Sequence, residues 1–256
     1  MSTSNFRFKQ FTVWHDRCAM KVGTDGVLLG AWTPLPSTAE HSSVHILDIG
    51  TGSGLIALML AQRCPEATVE GIDIDRNAVE QARENFEQAA FSCRLSAFHS
   101  SLQNWQMTND QEATTGEKYD LIVSNPPYFQ NSLKNPNEGR RTARHTDTLS
   151  YEELFFHGAR LLAPNGTFAL ILPAEAEKEI LLLATAAGLT LTHRTRVYSK
   201  ESKPARRVLL AFAKEVENTS LGSPCTLPIV ETTLVLEDDK GGRSRQYQEL
   251  CEEFYL

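Results

Sequence analysis

The glycine turn Gly50-Thr51-Gly52-Ser53-Gly54 constrains this chain more than any other feature. It follows an apolar run of strand length, VHILDIG (44–50), and leads straight into the helical pattern LIALMLAQRC (55–64). Glycines at such a junction let the backbone turn tightly and let a ligand approach the main chain where a Cβ would clash. A nicotinamide-binding turn of the form G-x-G-x-x-G needs its third glycine where Leu55 stands, and no lysine follows to complete a phosphate-binding P-loop. What remains is G-x-G-x-G with an acid, Asp48, two residues ahead of the first glycine.

Strand-length and helical runs alternate around this turn. ATVEGIDID (67–75), CRLSAFHS (93–100), YDLIVSNPP (119–127) and TFALILP (167–173) read as strands. RNAVEQARENFEQAA (76–90), LSYEELFFHGARLL (149–162) and residues 175–187 read as helices, the last ending at Gly188. Such alternation implies a mostly parallel sheet with helices on both faces. LTLTHRTRVY and ARRVLLAFA are joined only by SKESKP, with no helix between them, so they are expected to close the sheet as an antiparallel hairpin. Seven strands result. The chain is expected to form one domain: an N-terminal segment (1–43), a core sheet (44–214) and a C-terminal strand and helix (215–256). Tyr247, Leu250, Cys251 and Phe254 give that last helix one apolar face for the core. Thr24 or Asp25 is the expected cap of an earlier apolar helix that follows Gly23.

Composition narrows the class. At 256 residues and 41% apolar content the chain can bury one sizeable core and is not disordered as a whole. No apolar run approaches the roughly 18 residues of a membrane-spanning helix, and the start lacks a secretory h-region, so a soluble, cytoplasmic protein is expected. Five scattered cysteines without a CxxC pair, and no metal-ligand cluster, argue against a disulfide framework or a metal site. Net charge is −7, yet residues 193–207 carry six Arg or Lys against one Glu, and residues 134–145 four against one. Two basic islands on an acidic body suit a phosphate-bearing partner held at one place.

Two further features carry chemistry. Asp73 ends the second strand of the series, where a carboxylate can accept both hydrogen bonds of a ribose diol; Asp75 competes, though its position before a helix also suits an N-cap. Asn125-Pro126-Pro127-Tyr128 ends the strand YDLIVS, and two prolines stop the strand and stiffen the turn.

The G-x-G-x-G turn resembles the S-adenosyl-L-methionine turn of class I methyltransferases, which implies a Rossmann-like α/β fold and that cofactor. The resemblance gives Gly50, Gly52 and Gly54 to the cofactor, with Asp48 near the turn amides or the methionine amino group. Ser100-Ser101 stands where an acid usually meets the adenine. With NPPY at the fourth strand, the chain resembles the amino-methyltransferases of exocyclic or amide nitrogens. In that chemistry Asn125 and the Pro126 carbonyl accept the N–H bonds of the target amine while Tyr128 stacks on the base.

Residues 15–32, HDRCAMKVGTDGVLLGAW, together with LDIGTGSGLIALMLAQR, SNPPYF, RRVLLAF and the closing FYL, resemble the bacterial tRNA adenine-N6 methyltransferases that modify adenine 37 of valine tRNA. That likeness implies a tRNA anticodon stem-loop as partner, with no metal, membrane or obligate protein partner, and an N-terminal segment over the cofactor with Lys21 and Asp25 near its methionine end. Arg140, Arg141 and Arg144 are then expected on anticodon-loop phosphates, and Arg194, Arg196, Lys200, Lys203, Arg206 and Arg207 on the stem. Alternatives are a release-factor glutamine methyltransferase, an rRNA guanine-N2 methyltransferase, and a non-catalytic RNA-binding relative. The first carries a helical domain for which no room precedes Val44; the second usually duplicates its domain, and no duplicate is found here.

Overall fold

The computed structural model describes residues 4–18, 20–37, 43–105, 118–127, 149–214 and 228–256. Its elements are β1 (Asn5–Arg7), β2 (Thr12–Trp14), α1 (Thr24–Trp32), β3 (Val44–Ile49), α2 (Leu55–Arg63), β4 (Ala67–Asp73), α3 (Arg76–Glu87), β5 (Leu95–His99), β6 (Tyr119–Ser124), α4 (Tyr151–Leu161), β7 (Leu162–Pro173), α5 (Glu177–Ala186), β8 (Leu189–Tyr198), β9 (Ala205–Lys214), β10 (Val230–Val235) and α6 (Arg245–Cys251). The main sheet has the order β10-β8-β9-β7-β6-β3-β4-β5. β7, β6, β3, β4 and β5 run parallel, and β9 pairs antiparallel with both β7 and β8. Among the described residues, seven strands therefore fall within 44–214, as expected. The C-terminal strand β10 adds an eighth, parallel to β8.

Alternation along each strand feeds two cores. Ile46 of β3 and Leu121 and Val123 of β6 face one side with α1, α2, α3 and α6. Leu47, Ile49 and Ile122 face the other, against Leu154 and Phe155 of α4 and Ile180 and Ala184 of α5. Fully burying a side chain such as Phe155 contributes about 2–3 kcal/mol, so this double facing commits the register firmly. Tyr247 and Cys251 of the last helix are buried in the first core, as their spacing implied, and so is Phe254, which lies three residues past the helix end rather than on its face.

Local signals place the helix ends. Ser150 and Glu153 form a capping box at α4: the Glu153 amide donates to Ser150 Oγ (3.1 Å) and the Ser150 amide to Glu153 Oε2 (2.9 Å). α1 departs from expectation. Its N-cap is Gly23, with no side-chain cap bond, and Asp25 instead lies in the first turn with its carboxylate on Arg207. A hairpin the sequence reading did not include, β1–β2, pairs Asn5 with Trp14 and packs on the α3 side of the sheet. No helix among the described residues is long and apolar enough to cross a membrane.

Candidate active site

β3 lies between β6 and β4, so the chain order reverses at its carboxyl end, the place where open α/β sheets receive ligands. Register fixes what meets there. Ile49 pairs with Ser124 on one side and Ile72 on the other, and Asp73 pairs with His99. With neighbouring strands about 4.8 Å apart, Asn125, the glycine turn, Asp73 and Ser100-Ser101 end adjacent strands along one rim.

The turn itself is left-handed at three positions: φ is +72° at Gly50, +56° at Gly52 and +80° at Gly54. It is held to the neighbouring strand by the Gly50 and Thr51 amides, which donate to the Ile72 carbonyl at 2.9 and 3.0 Å. Gly54 is required twice over, because a Cβ there would also lie 2.4 Å from the Phe86 ring. A Cβ at Gly50 would meet no protein atom within 4 Å, so the main chain is open on the side a ligand would approach.

Two carboxylates serve this turn. Asp73 Oδ2 accepts from the Gly52 amide and Oδ1 from the Asp75 amide, both at 2.9 Å, leaving each oxygen a lone pair for a further donor. Asp75 uses its own side chain to cap α3, accepting from the Asn77 amide at 2.9 Å. That leaves Asp73 as the better placed of the two acids for a diol. Asp48 is fully buried and accepts from Thr51 Oγ1 at 2.7 Å, while its Oδ1 has no hydrogen-bond partner. Burial pushes its carboxyl up to about 7 against the downward pull of Thr51 and the Ala57 amide, and the charge of Asp73 adds a little. An open glycine cradle, a diol-ready carboxylate and a buried acceptor lacking a donor fit S-adenosylmethionine.

Asn125 follows β6 half-buried, with Pro126 buried and Pro127 exposed. Ser124 Oγ donates to the Ile49 carbonyl at 2.9 Å, which ties the strand carrying Asn125 to the strand carrying the glycine turn. Tyr128, Arg140, Arg141 and Arg144 lie outside the described residues. Ser101 opens a short 3-10 turn without a side-chain cap bond, beside Ser100, whose amide donates to the Asp73 carbonyl at 3.1 Å. Lys21 is exposed.

The basic hairpin is changed by its partners. Arg194 is ion-paired to Glu177 and Glu231 (both 3.2 Å) with its side chain 16% exposed, and Arg196 joins the same Glu177 at 3.0 Å. Lys200 meets Glu237 at 3.4 Å and Arg207 meets Asp25 at 2.9 Å. Arg194 and Arg196 thus fasten β8 to α5, and Arg194 also reaches β10, rather than standing out as free charges. Lys203 and Arg206 are exposed near the hairpin tip. Sequence alone cannot tell a paired arginine from a free one when the carboxylates come from elsewhere in the chain.

Sequence reasoning also missed Asn85. It is fully buried in α3 and bonds Trp14 of β2 and Ser53 of the glycine turn. The available signal was an amide at a position of the helix that otherwise repeats apolar residues.

Comparison with known proteins agrees with this geometry. A family described as Methyltransferase small domain matches residues 33–199. A protein of Bacteroides fragilis named tRNA1(Val) (adenine(37)-N6)-methyltransferase is 45% identical over 256 residues, covering 100% of this chain and 99% of its own. A protein of the same name from Proteus mirabilis is 39% identical over 252 residues, covering 98% and 93%. Among solved structures, one described as a predicted O-methyltransferase from Agrobacterium tumefaciens superposes with a TM-score of 0.64 over 90% of this chain and 96% of that one; at 18% identity it speaks for the fold alone.

Proposed function

We propose that this chain, which belongs to the methyltransferase small-domain family and within it to the tRNA1(Val) (adenine(37)-N6)-methyltransferases, methylates the exocyclic N6 of adenine 37 in valine tRNA. The carrying observation is the tie between Ser124 and Ile49, which sets Asn125 beside the glycine turn. Asp73 would hold the cofactor's ribose, the turn amides and Asp48 its methionine end, and Ser100-Ser101 would flank its adenine. S-adenosylmethionine, when bound, supplies an electrophilic methyl group on a sulfonium.

An adenine N6 lone pair is delocalised into the ring and is a poor nucleophile. Asn125 Oδ1 and the Pro126 carbonyl accept the two N–H bonds of the amine, which orients it and favours the pyramidal nitrogen that attack requires. Proline on both sides of that carbonyl fixes its direction before substrate arrives. Arg140, Arg141 and Arg144, in the segment after Pro127, together with the exposed Lys203 and Arg206, would offer cations to anticodon-loop phosphates while the base is flipped. Such a substrate places the enzyme in the cytoplasm.

Purified protein with labelled S-adenosylmethionine and tRNA from a strain lacking this gene tests the reading by nucleoside mass spectrometry. N6-methyladenosine in valine tRNA supports it. Label in an added release factor, or none in tRNA, overturns the substrate.

A further inference from the structure

Residues 14–26 lead from β2 to α1 past the cofactor rim, and contacts at three points locate them. At the start, Trp14 is bonded to α3 through Asn85. Midway, Arg17 is bonded to α3, its amide donating to Gln81 Oε1 at 3.4 Å and its guanidinium pairing with Glu84 at 2.9 Å. At the far end, Gly26 sits so close to Leu55, the first residue of α2, that a Cβ would approach the Leu55 side chain to 3.0 Å. The strap therefore has its first part on α3, the helix that follows the ribose acid, and its other end on the helix that leaves the glycine turn.

Asn85 is fully buried and all its strong bonds go to main chain. Its Oδ1 accepts from the Trp14 amide at 2.9 Å, and its Nδ2 donates to the Trp14 carbonyl and to the Ser53 carbonyl, both at 2.8 Å. Both donor hydrogens are thus spent, one on the strap and one on the glycine turn. Four residues earlier on the same face, Gln81 is also buried and accepts from the Arg17 amide at 3.4 Å, while half-buried Glu84 pairs with Arg17 at 2.9 Å. A helix that faces a core only for packing would carry apolar residues at 81 and 85. This one presents two amides to the strap.

We propose that Asn85 is a positioning residue for cofactor binding: by bonding Trp14 and Ser53 together it fixes the strap against the glycine turn, so that this edge of the site is ordered before the cofactor arrives. This rests on reading residues 48–73 as the S-adenosylmethionine site. Pre-organisation of this kind acts on affinity, since without it binding must also order the strap.

Calorimetric titration with S-adenosylmethionine tests it on the wild type, Asn85→Ala, the milder Asn85→Ser, and Leu189→Ala. Leu189 is buried in the opposite core and serves as a control for general loss of stability. Both Asn85 variants are expected to raise the dissociation constant about tenfold or more, with kcat at saturating cofactor within about twofold of wild type. Leu189→Ala should lower the melting temperature and leave the constant unchanged. In the wild type without cofactor, the Trp14 amide, which Asn85 holds, should already exchange slowly, a readout that needs no variant to fold. Asn85 variants that bind within twofold of wild type, or fast exchange at Trp14 in the free wild type, overturn the proposal. A wild type that binds no S-adenosylmethionine overturns the site reading instead, and the two failures are distinct.

Discussion

The Gly52 amide donates to the Asp73 carboxylate at 2.9 Å, so the acid ending β4 is joined to the turn ending β3. One side chain thereby shapes the glycine cradle and remains available to a ligand. Removing it acts on both. Asp73→Ala is expected to raise the dissociation constant for S-adenosylmethionine by one to two orders of magnitude, consistent with about 1.5–3 kcal/mol for a hydrogen bond to a charged group. Asp75→Ala should cost only the α3 cap, about 1 kcal/mol of stability, and leave affinity nearly unchanged. Titration of both variants decides: the reverse order of effects moves the ribose contact to Asp75.

Asn125→Ala separates orientation from binding. The side chain lies on the β6 side of the glycine turn, away from Asp73 on β4, so cofactor affinity should hold within about twofold while turnover drops about a hundredfold or more. Single-turnover kinetics at saturating cofactor measures this. Weak cofactor binding with normal turnover would remove Asn125 from the role given to it.

Gly54→Ala should destabilise the fold by about 2–4 kcal/mol. Two costs combine: a side chain at φ +80°, and a Cβ 2.4 Å from a Phe86 ring atom in a packed core. Urea denaturation reads the loss. Adding Phe86→Leu should return part of it by relieving the clash, though not the backbone strain. If the double variant is no more stable than the single, the ring contact is not the cause.

The elements that position this site were legible because they follow short-range rules. Strand β3, its glycine turn and α2 are contiguous in sequence, and the turn's spacing and the missing lysine separated it from nicotinamide and P-loop alternatives. The proline pair after β6 marked a strand end for the same local reason. What stayed hidden depends on partners distant in sequence. Arg194 and Glu231 are neighbours across β8 and β10, and Arg207 meets Asp25 across most of the chain, so the hairpin's apparent charge was larger than its free charge. β1 and β2 are three residues each, too short for a periodic pattern, and are held instead by Asn85 and by the Lys9 amide on the Phe254 carbonyl. Asn85 stands on the helix's apolar face, but the strap that it holds comes from 71 residues away in the chain.

Asp48 gives stability a pH dependence of definite sign. Its carboxyl titrates near 3.8 when unfolded and at about 7 when folded, raised chiefly by burial. Between those values the folded protein keeps a proton that the unfolded chain has lost, so folding stability falls as pH rises from about 4 to about 7 and levels off above. At roughly 1.4 kcal/mol per unit, the loss is up to about 4 kcal/mol. Asp48→Asn keeps an acceptor for the Thr51 hydroxyl but cannot ionise. Near pH 4 it should be no more stable than wild type, because its amide leaves a donor without a partner in a buried site. Its relative stability should then climb with pH and plateau above 7. Urea denaturation of the two proteins at half-unit intervals from pH 4 to 8, each without cofactor, measures the difference. Curves that run parallel across the window would mean that Asp48 is already ionised in the folded protein, and that its carboxylate is solvated better than its burial allows.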